Sequence, residues 1–346
     1  MIWLTWRQFR ASAVTTAAAL AVLAAALVLT GPGLADRYAA GIAECTLDDT
    51  CPRFYDLFFD DYQMTFTVLN LALLALPALI GLFWGAPLIT RELEAGTHLL
   101  VWNQGVTRVR WLTVKLALIG LTAVAAACVT GMLVTWWSRP LDSSAVPELA
   151  QMSPLVFSAR GIVPMGYAAF AFVLGVSAGM LVRRTLAAMA LTLAVFVAVQ
   201  IAMPMVVRPH LMTPVTAVHE LSRENVGGIS VRRGGGEVRV QLKNAVPGQA
   251  GAWVLASELL DPSGKVIASD GEDSPTTVSG TSGPCAPGAS PDGCPGEISA
   301  QGYRQQATYH PLDRFWAFQW IETGIYAALT IGLTWFSFWW IRRRLS

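Results

Sequence analysis

The chain has 346 residues, of which 54% are hydrophobic and only 14% charged, with a net charge of +1. Soluble domains carry about a quarter charged residues, so much of this chain does not face water. The near-neutral balance gives nucleic-acid binding no support.

Crossing a roughly 30 Å hydrocarbon core takes about 20 apolar residues in a helix. Six stretches qualify in chain order: 11–30, 65–89, 111–137, 161–182, 185–207 and 315–341. Lipid offers backbone amides no partners, so each span is expected to be helical, and the continuous apolar runs exclude a β-barrel. The expected fold class is therefore an all-α polytopic membrane protein with a small β-rich extracytoplasmic insert. Arg7 and Arg10 ahead of the first span resemble a secretory signal, but the run is too long and five spans follow, so an uncleaved helix is expected. Residues 1–10 read either as a short interfacial helix or as a charged flank with aromatic anchors.

Basic residues near span ends stay cytoplasmic. With the N-terminus inside, the inner segments carry Arg7 and Arg10, then Arg91, Arg108, Arg110 and Lys115, then Arg183 and Arg184, then Arg342, Arg343 and Arg344. The stretch 31–64, read as the first outer loop, is instead acidic, and both termini are expected inside. Cys45 and Cys51 then fall in that segment, and Cys285 and Cys294 in the large outer one. Oxidising space permits disulfides. The two close pairs predict Cys45–Cys51 and Cys285–Cys294, although four cysteines allow three connectivities. Cys128, inside the third span, reads as a packing residue.

The domain plan is residues 1–207 as spans one to five, 208–314 as an extracytoplasmic β-rich domain, and 315–346 as the last span with a basic tail. In the outer domain, Val238, Val240 and Leu242 alternate with polar neighbours, as in a half-buried strand. Trp253 to Leu260 and Lys265 to Ala268 read as further strands around the turn at Asp261-Pro262-Ser263-Gly264. Residues 269–296 read as loop. Ligand binding and a passive cap are equally open roles.

The one substantial cytoplasmic loop, 90–110, reads TRELEAGTHLLVWNQGVTRVR. Thr90 caps a helix with Glu92 and Glu94 in its first turn. Gly96 ends or bends that helix, Thr97 to Trp102 restart it, and Asn103-Gln104-Gly105 is a turn. A docking site for a cytosolic partner and a plain hairpin between spans both fit this pattern. Within the spans, polar residues are functional suspects. Glu322 lies about two turns into the last span with Gln319 and Tyr326 on roughly the same face, and Asn70 lies in the upper second span; these four form a candidate substrate path, and simple pairing of Glu322 with a neighbouring helix near the outer interface is the other reading.

Arg91-Glu92-x-Glu94-x-Gly96-Thr97, just after the second span, resembles the RExExGT motif of ABC-2 type transporter permeases. The following Trp102 to Lys115 and the stretch from Tyr309 to Arg344 are similar to segments of bacterial members. The Asn103-Gln104 pair stands where many members have Thr-Pro or Thr-Gln, and residues 208–300 are not clearly covered. The resemblance implies a bacterial plasma-membrane exporter subunit that works as a homodimer, or as a heterodimer with a second permease. It further implies pairing with a separate ATP-binding cassette subunit that holds ATP-Mg, while this chain binds no cofactor. Arg91, Glu92, Glu94, Gly96 and Thr97 would be its coupling elements, with Pro77 and Pro87 supplying kinks. No GxxxxGK[ST] or HExxH motif occurs, which fits a non-enzymatic permease. A secondary transporter or channel would need inverted repeats or several mid-membrane charges, and a membrane sensor an inner output domain. None of these is seen.

Overall fold

A computed structural model describes residues 2–48, 51–97, 107–142, 149–231, 237–269, 274–280, 283–286 and 293–343. The expected second helix at 97–102, the turn at 103–105 and Arg344 fall at least partly outside the described residues. The chain divides into two compact units. One comprises 1–141, 157–208 and 316–346, and the other 142–156 and 209–315.

The first unit is helical. Its principal elements are α1 (Ile2–Asp48), α2 (Cys51–Ile80), a π-helical turn (Gly81–Gly85), α3 (Ala86–Glu94), α4 (Arg108–Trp137), α5 (Val163–Val182), α6 (Thr185–Ala202) and α7 (Phe315–Arg343). Among the described residues, six helical segments are long and apolar enough to cross a membrane. The fourth is central: 78% of its apolar window is buried, against 6% for the first. The apolar core gathers Trp84, Ile89, Trp111, Leu112 and Ile119 around Phe172 and Val176 of α5, with Phe9 and Ile341 closing it.

Two expectations are corrected here. Residues 2–10 form no separate interfacial helix but are the first turns of α1. Residues 31–64 are almost wholly helical, because α1 and α2 continue past the apolar runs as paired arms. Tyr38 and Phe54 each pack against Phe58, with ring centroids 5.4 and 5.5 Å away. Arg37 donates to the Tyr62 hydroxyl at 2.9 Å. The Cys45–Cys51 disulfide joins the arms.

Glycines let two backbones touch along α5. A Cβ on Gly85 would sit 2.4 Å from the Phe172 carbonyl oxygen, and one on Gly175 2.4 Å from that of Gly81. Gly81 with Gly85 and Gly175 with Gly179 thus present two facing small-xxx-small pairs, the arrangement that brings membrane helices close where no hydrophobic force pulls them together. The π-helical turn lies within this contact, four residues after Pro77. Such turns are recurrent helix irregularities.

The second unit is built on two antiparallel sheets. One has the order β1-β7-β4-β5, with β1 Val215–Glu220, β4 Trp253–Leu260, β5 Val266–Ser269 and β7 Arg304–His310. The other has the order β2-β3-β6, with β2 Val226–Val231, β3 Glu237–Leu242 and β6 Ser274–Ser279. Val238, Val240, Leu259, Val278 and Ile298 form its core together with the disulfide-bonded Cys285 and Cys294. Gln305 crosses that interior, accepting from Asn225 Nδ2 and donating to Ser257 Oγ, each at 2.8 Å. The expectation of loop over 269–296 is corrected: β6 lies inside it and a helix, Gly293–Ala300, begins there. β6 was hidden because Ser274-Pro275-Thr276-Thr277 carries too few apolar side chains to alternate visibly.

Candidate functional site

α3 carries most of the inner-loop motif and prolongs the second span; because the helix runs on from that span, Thr90 is interior, donating to the Ala86 carbonyl at 2.7 Å, and does not cap it, and Glu92 and Glu94 lie in its last turn, not its first. Its two glutamates reach different neighbours. Glu92 pairs with Lys115 of α4 at 2.6 Å, with side chains 14% and 3% exposed. Lys115 also donates to the Leu88 carbonyl at 3.4 Å and lies 4.6 Å from the centroid of the Trp111 ring. Lys115 thus ties α3 to the third span by its charge, its N–H groups and its stem.

Glu94 points toward the fifth span. Its carboxylate accepts from the Thr185 amide at 2.8 Å and from Thr185 Oγ1 at 2.6 Å. The first amides of a helix lack intrahelical partners and favour negative charge. Arg184, at the N-cap position of α6, supplies no side-chain cap, so Glu94 caps α6 from another helix. Thr185 also bonds Thr90 Oγ1 at 3.2 Å. Gly96 then ends α3 with φ +67, while the Ala95 and Gly96 amides return to the Arg91 and Leu93 carbonyls. Only glycine adopts that left-handed conformation without strain. Arg91 and Thr97 are exposed. The structure therefore brings Glu92 and Glu94 into ties with the third and fifth spans and leaves Arg91 and Thr97 facing outward.

The polar residues at the opposite end of the spans are all buried. Gln319 Oε1 accepts from the Ile162 and Val163 amides at 2.9 and 3.0 Å, capping α5. Gly161, with φ +62, makes room for it, since a Cβ there would meet Gln319 Oε1 at 2.6 Å. Glu322 forms a bidentate pair with Arg208 at 2.8 and 2.9 Å and accepts from the Tyr167 hydroxyl. Arg208 also donates to Ser158 Oγ at 2.8 Å and stacks 4.3 Å from the centre of the Phe157 ring. Tyr326 donates to Gln200 Oε1 at 2.8 Å and packs edge-on to Tyr167. Asn70 Nδ2 returns to the Phe66 carbonyl at 2.7 Å, while its Oδ1 has no partner among the described residues.

Sequence reasoning missed Arg208, Tyr167, Thr185 and the glycine pairs, and used Lys115 for orientation and family resemblance but not as a partner of Glu92. A lone arginine directly after an apolar span was the available signal for Arg208. Among the described residues no cluster of His, Cys, Asp or Glu is arranged to hold a metal.

A family model described as "ABC-2 membrane transporter related" matches residues 17–208, which include the inner-loop motif and end at the buried arginine. No curated protein and no solved structure gives a significant match.

Proposed function

The chain belongs to the ABC-2 membrane transporter related family and is the multi-pass membrane subunit of a transporter, and we propose that a separate ATP-binding subunit drives it by pushing on α3. The observation carrying this reading is that one short helix, continuous with the second span, is fastened to the third span through Glu92 and to the fifth through Glu94. Movement imposed on α3 would reach three spans at once. Thr97 supplies an outward-facing contact for the partner, Arg91 stands exposed on the same helix end, and Gly96 ends the lever. The assembly proposed is a homodimer, or a heterodimer with a second permease, bound to two ATP-binding subunits in a bacterial plasma membrane and exporting its cargo. ATP-Mg would be held by the partner.

Asn70, Gln319, Glu322 and Tyr326 are proposed to border the substrate path. Gln319, Glu322 and Tyr326 turn their polar groups to neighbouring segments, and Asn70 bonds back to its own helix, so a passing substrate requires those ties to exchange.

Co-purification with the ATP-binding subunit tests the pairing. Glu92→Ala with Glu94→Ala is expected to retain that subunit while substrate-stimulated ATPase activity falls at least tenfold, about 1.4 kcal/mol of coupling. Unchanged stimulation would remove α3 from the relay.

A further inference from the structure

The membrane unit holds a cavity of about 280 Å³ between α1, the π-helical turn with α3, and α4. One end is polar, formed by Ser12, Arg91 and Glu92, and the walls are Phe9, Trp84, Leu88 and Ile119. Phe83, 58% exposed, forms its rim toward the lipid side. Phe9 and Trp84 meet edge to face at 4.8 Å, which fixes the apolar wall.

The polar end carries net positive charge. Glu92 is neutralised by Lys115 at 2.6 Å. Glu94, the other carboxylate of α3, is committed to Thr185. Arg91 lines the cavity with its charge exposed, and Arg7 and Arg10 flank Phe9 on α1 and are exposed as well. By the positive-inside rule this arginine-flanked end lies at the cytoplasmic leaflet. A basic pocket between spans on that side is suited to an anionic lipid headgroup. The volume, at the low end for ligand pockets, admits a phosphate-bearing headgroup and the first methylenes of one chain.

We propose that this cavity binds an anionic phospholipid of the inner leaflet, its phosphate against Arg91 and one acyl chain running past Phe9 and Trp84 over Phe83. The site lies on the helix that carries the motif, but lipid occupancy does not depend on any ATP-binding partner.

The test uses the purified full chain in neutral phosphatidylcholine nanodiscs doped with diazirine-acyl phosphatidylglycerol, with cross-linked peptides mapped by mass spectrometry. Labelling is expected to concentrate on residues 9–12 and 83–91. Arg91→Gln is expected to reduce it about fivefold, the weight of one cation near an anionic leaflet. Ser12→Leu, which fills the cavity and keeps the charge, is expected to reduce it likewise. Size-exclusion elution identical to wild type checks that both variants fold. Equal labelling by diazirine-acyl phosphatidylcholine would overturn the proposal, as would labelling at Phe83 no stronger than at lipid-facing Leu121. Displacement of the lipid probe by inorganic phosphate alone would also overturn it, identifying a free-anion site.

Discussion

The two units are held together by different means, and the difference follows from their surroundings. In the β-rich unit water drives Val238, Val240, Leu259 and Ile298 into one core, and strand pairing and a disulfide complete it. In the membrane unit the solvent around the spans is itself apolar, so burying another leucine gains little. Cohesion there rests on backbone-to-backbone glycine contacts and on a few polar ties whose alternative is an unpaired group in hydrocarbon. Charge and glycine substitutions should therefore damage the membrane unit, whereas loss of the Cys285–Cys294 disulfide and a change of pH should act on the β-rich one.

The largest effect is expected at Glu322. Removing one member of a fully buried ion pair leaves the other uncompensated, at a cost of about 3–5 kcal/mol. Glu322→Gln should sharply lower the thermal midpoint of the detergent-solubilised protein. Arg208→Met combined with Glu322→Leu should recover much of the loss. If the single substitution is as mild as one at exposed Glu94, the Arg208–Glu322 tie is not what holds these helices. Next comes replacement of Cys285 and Cys294 by alanine. Their separation of nine residues closes a loop worth about 3 kcal/mol by chain entropy. The loss should show as faster hydrogen exchange in β3 and β6 with none in α5; exchange rising in both units alike would erase the contrast. Gly175→Ala places a Cβ 2.4 Å from the Gly81 carbonyl, and overpacking of that kind costs about 1–3 kcal/mol. It should lower the thermal midpoint while leaving exchange in the sheets unchanged.

The same contrast decides what was legible in the sequence. Spans announce themselves because hydropathy is a local property, and both disulfides were readable because each pair is close in the chain. β3 and β4 showed through the alternation of Val238 to Leu242 and the apolar run from Trp253. The candidate site was legible only in its linear part, the motif on α3. Arg208 and Glu322 are 114 positions apart, and a single sequence carries no trace of which arginine meets which glutamate. The same holds for Glu94 and Thr185, 91 apart. Gly81, Gly85, Gly175 and Gly179 sit among many other small residues, and only the facing backbone shows which glycines are obligatory. The helical arms over 31–64 escaped because acidic residues and cysteines there resemble a loop, while their helix-forming pattern is held by contacts between the two arms.

The smallest expected effect is a pH response confined to the β-rich unit. His310 ends β7, opposite Trp253 of β4, with its Nε2 3.2 Å from the Pro209 carbonyl oxygen. Burial lowers its pKa, Arg314 lowers it further, and the Pro209 carbonyl opposes them in part. The unfolded imidazole titrates near about 6.5, so the unfolded chain takes up the proton first. The stability associated with neutral His310 is therefore present above about pH 6.5 and is lost as pH falls through the lower folded-state value. Hydrogen exchange at the paired amides of β4 and β7, corrected for intrinsic rates, should accelerate between about pH 7 and about pH 5. His310→Gln, which keeps a donor for the Pro209 carbonyl but cannot titrate, should flatten that slope while leaving the α5 amides unaffected. An unchanged slope in the variant would move the pH response to another group and leave this strand end held by pairing alone.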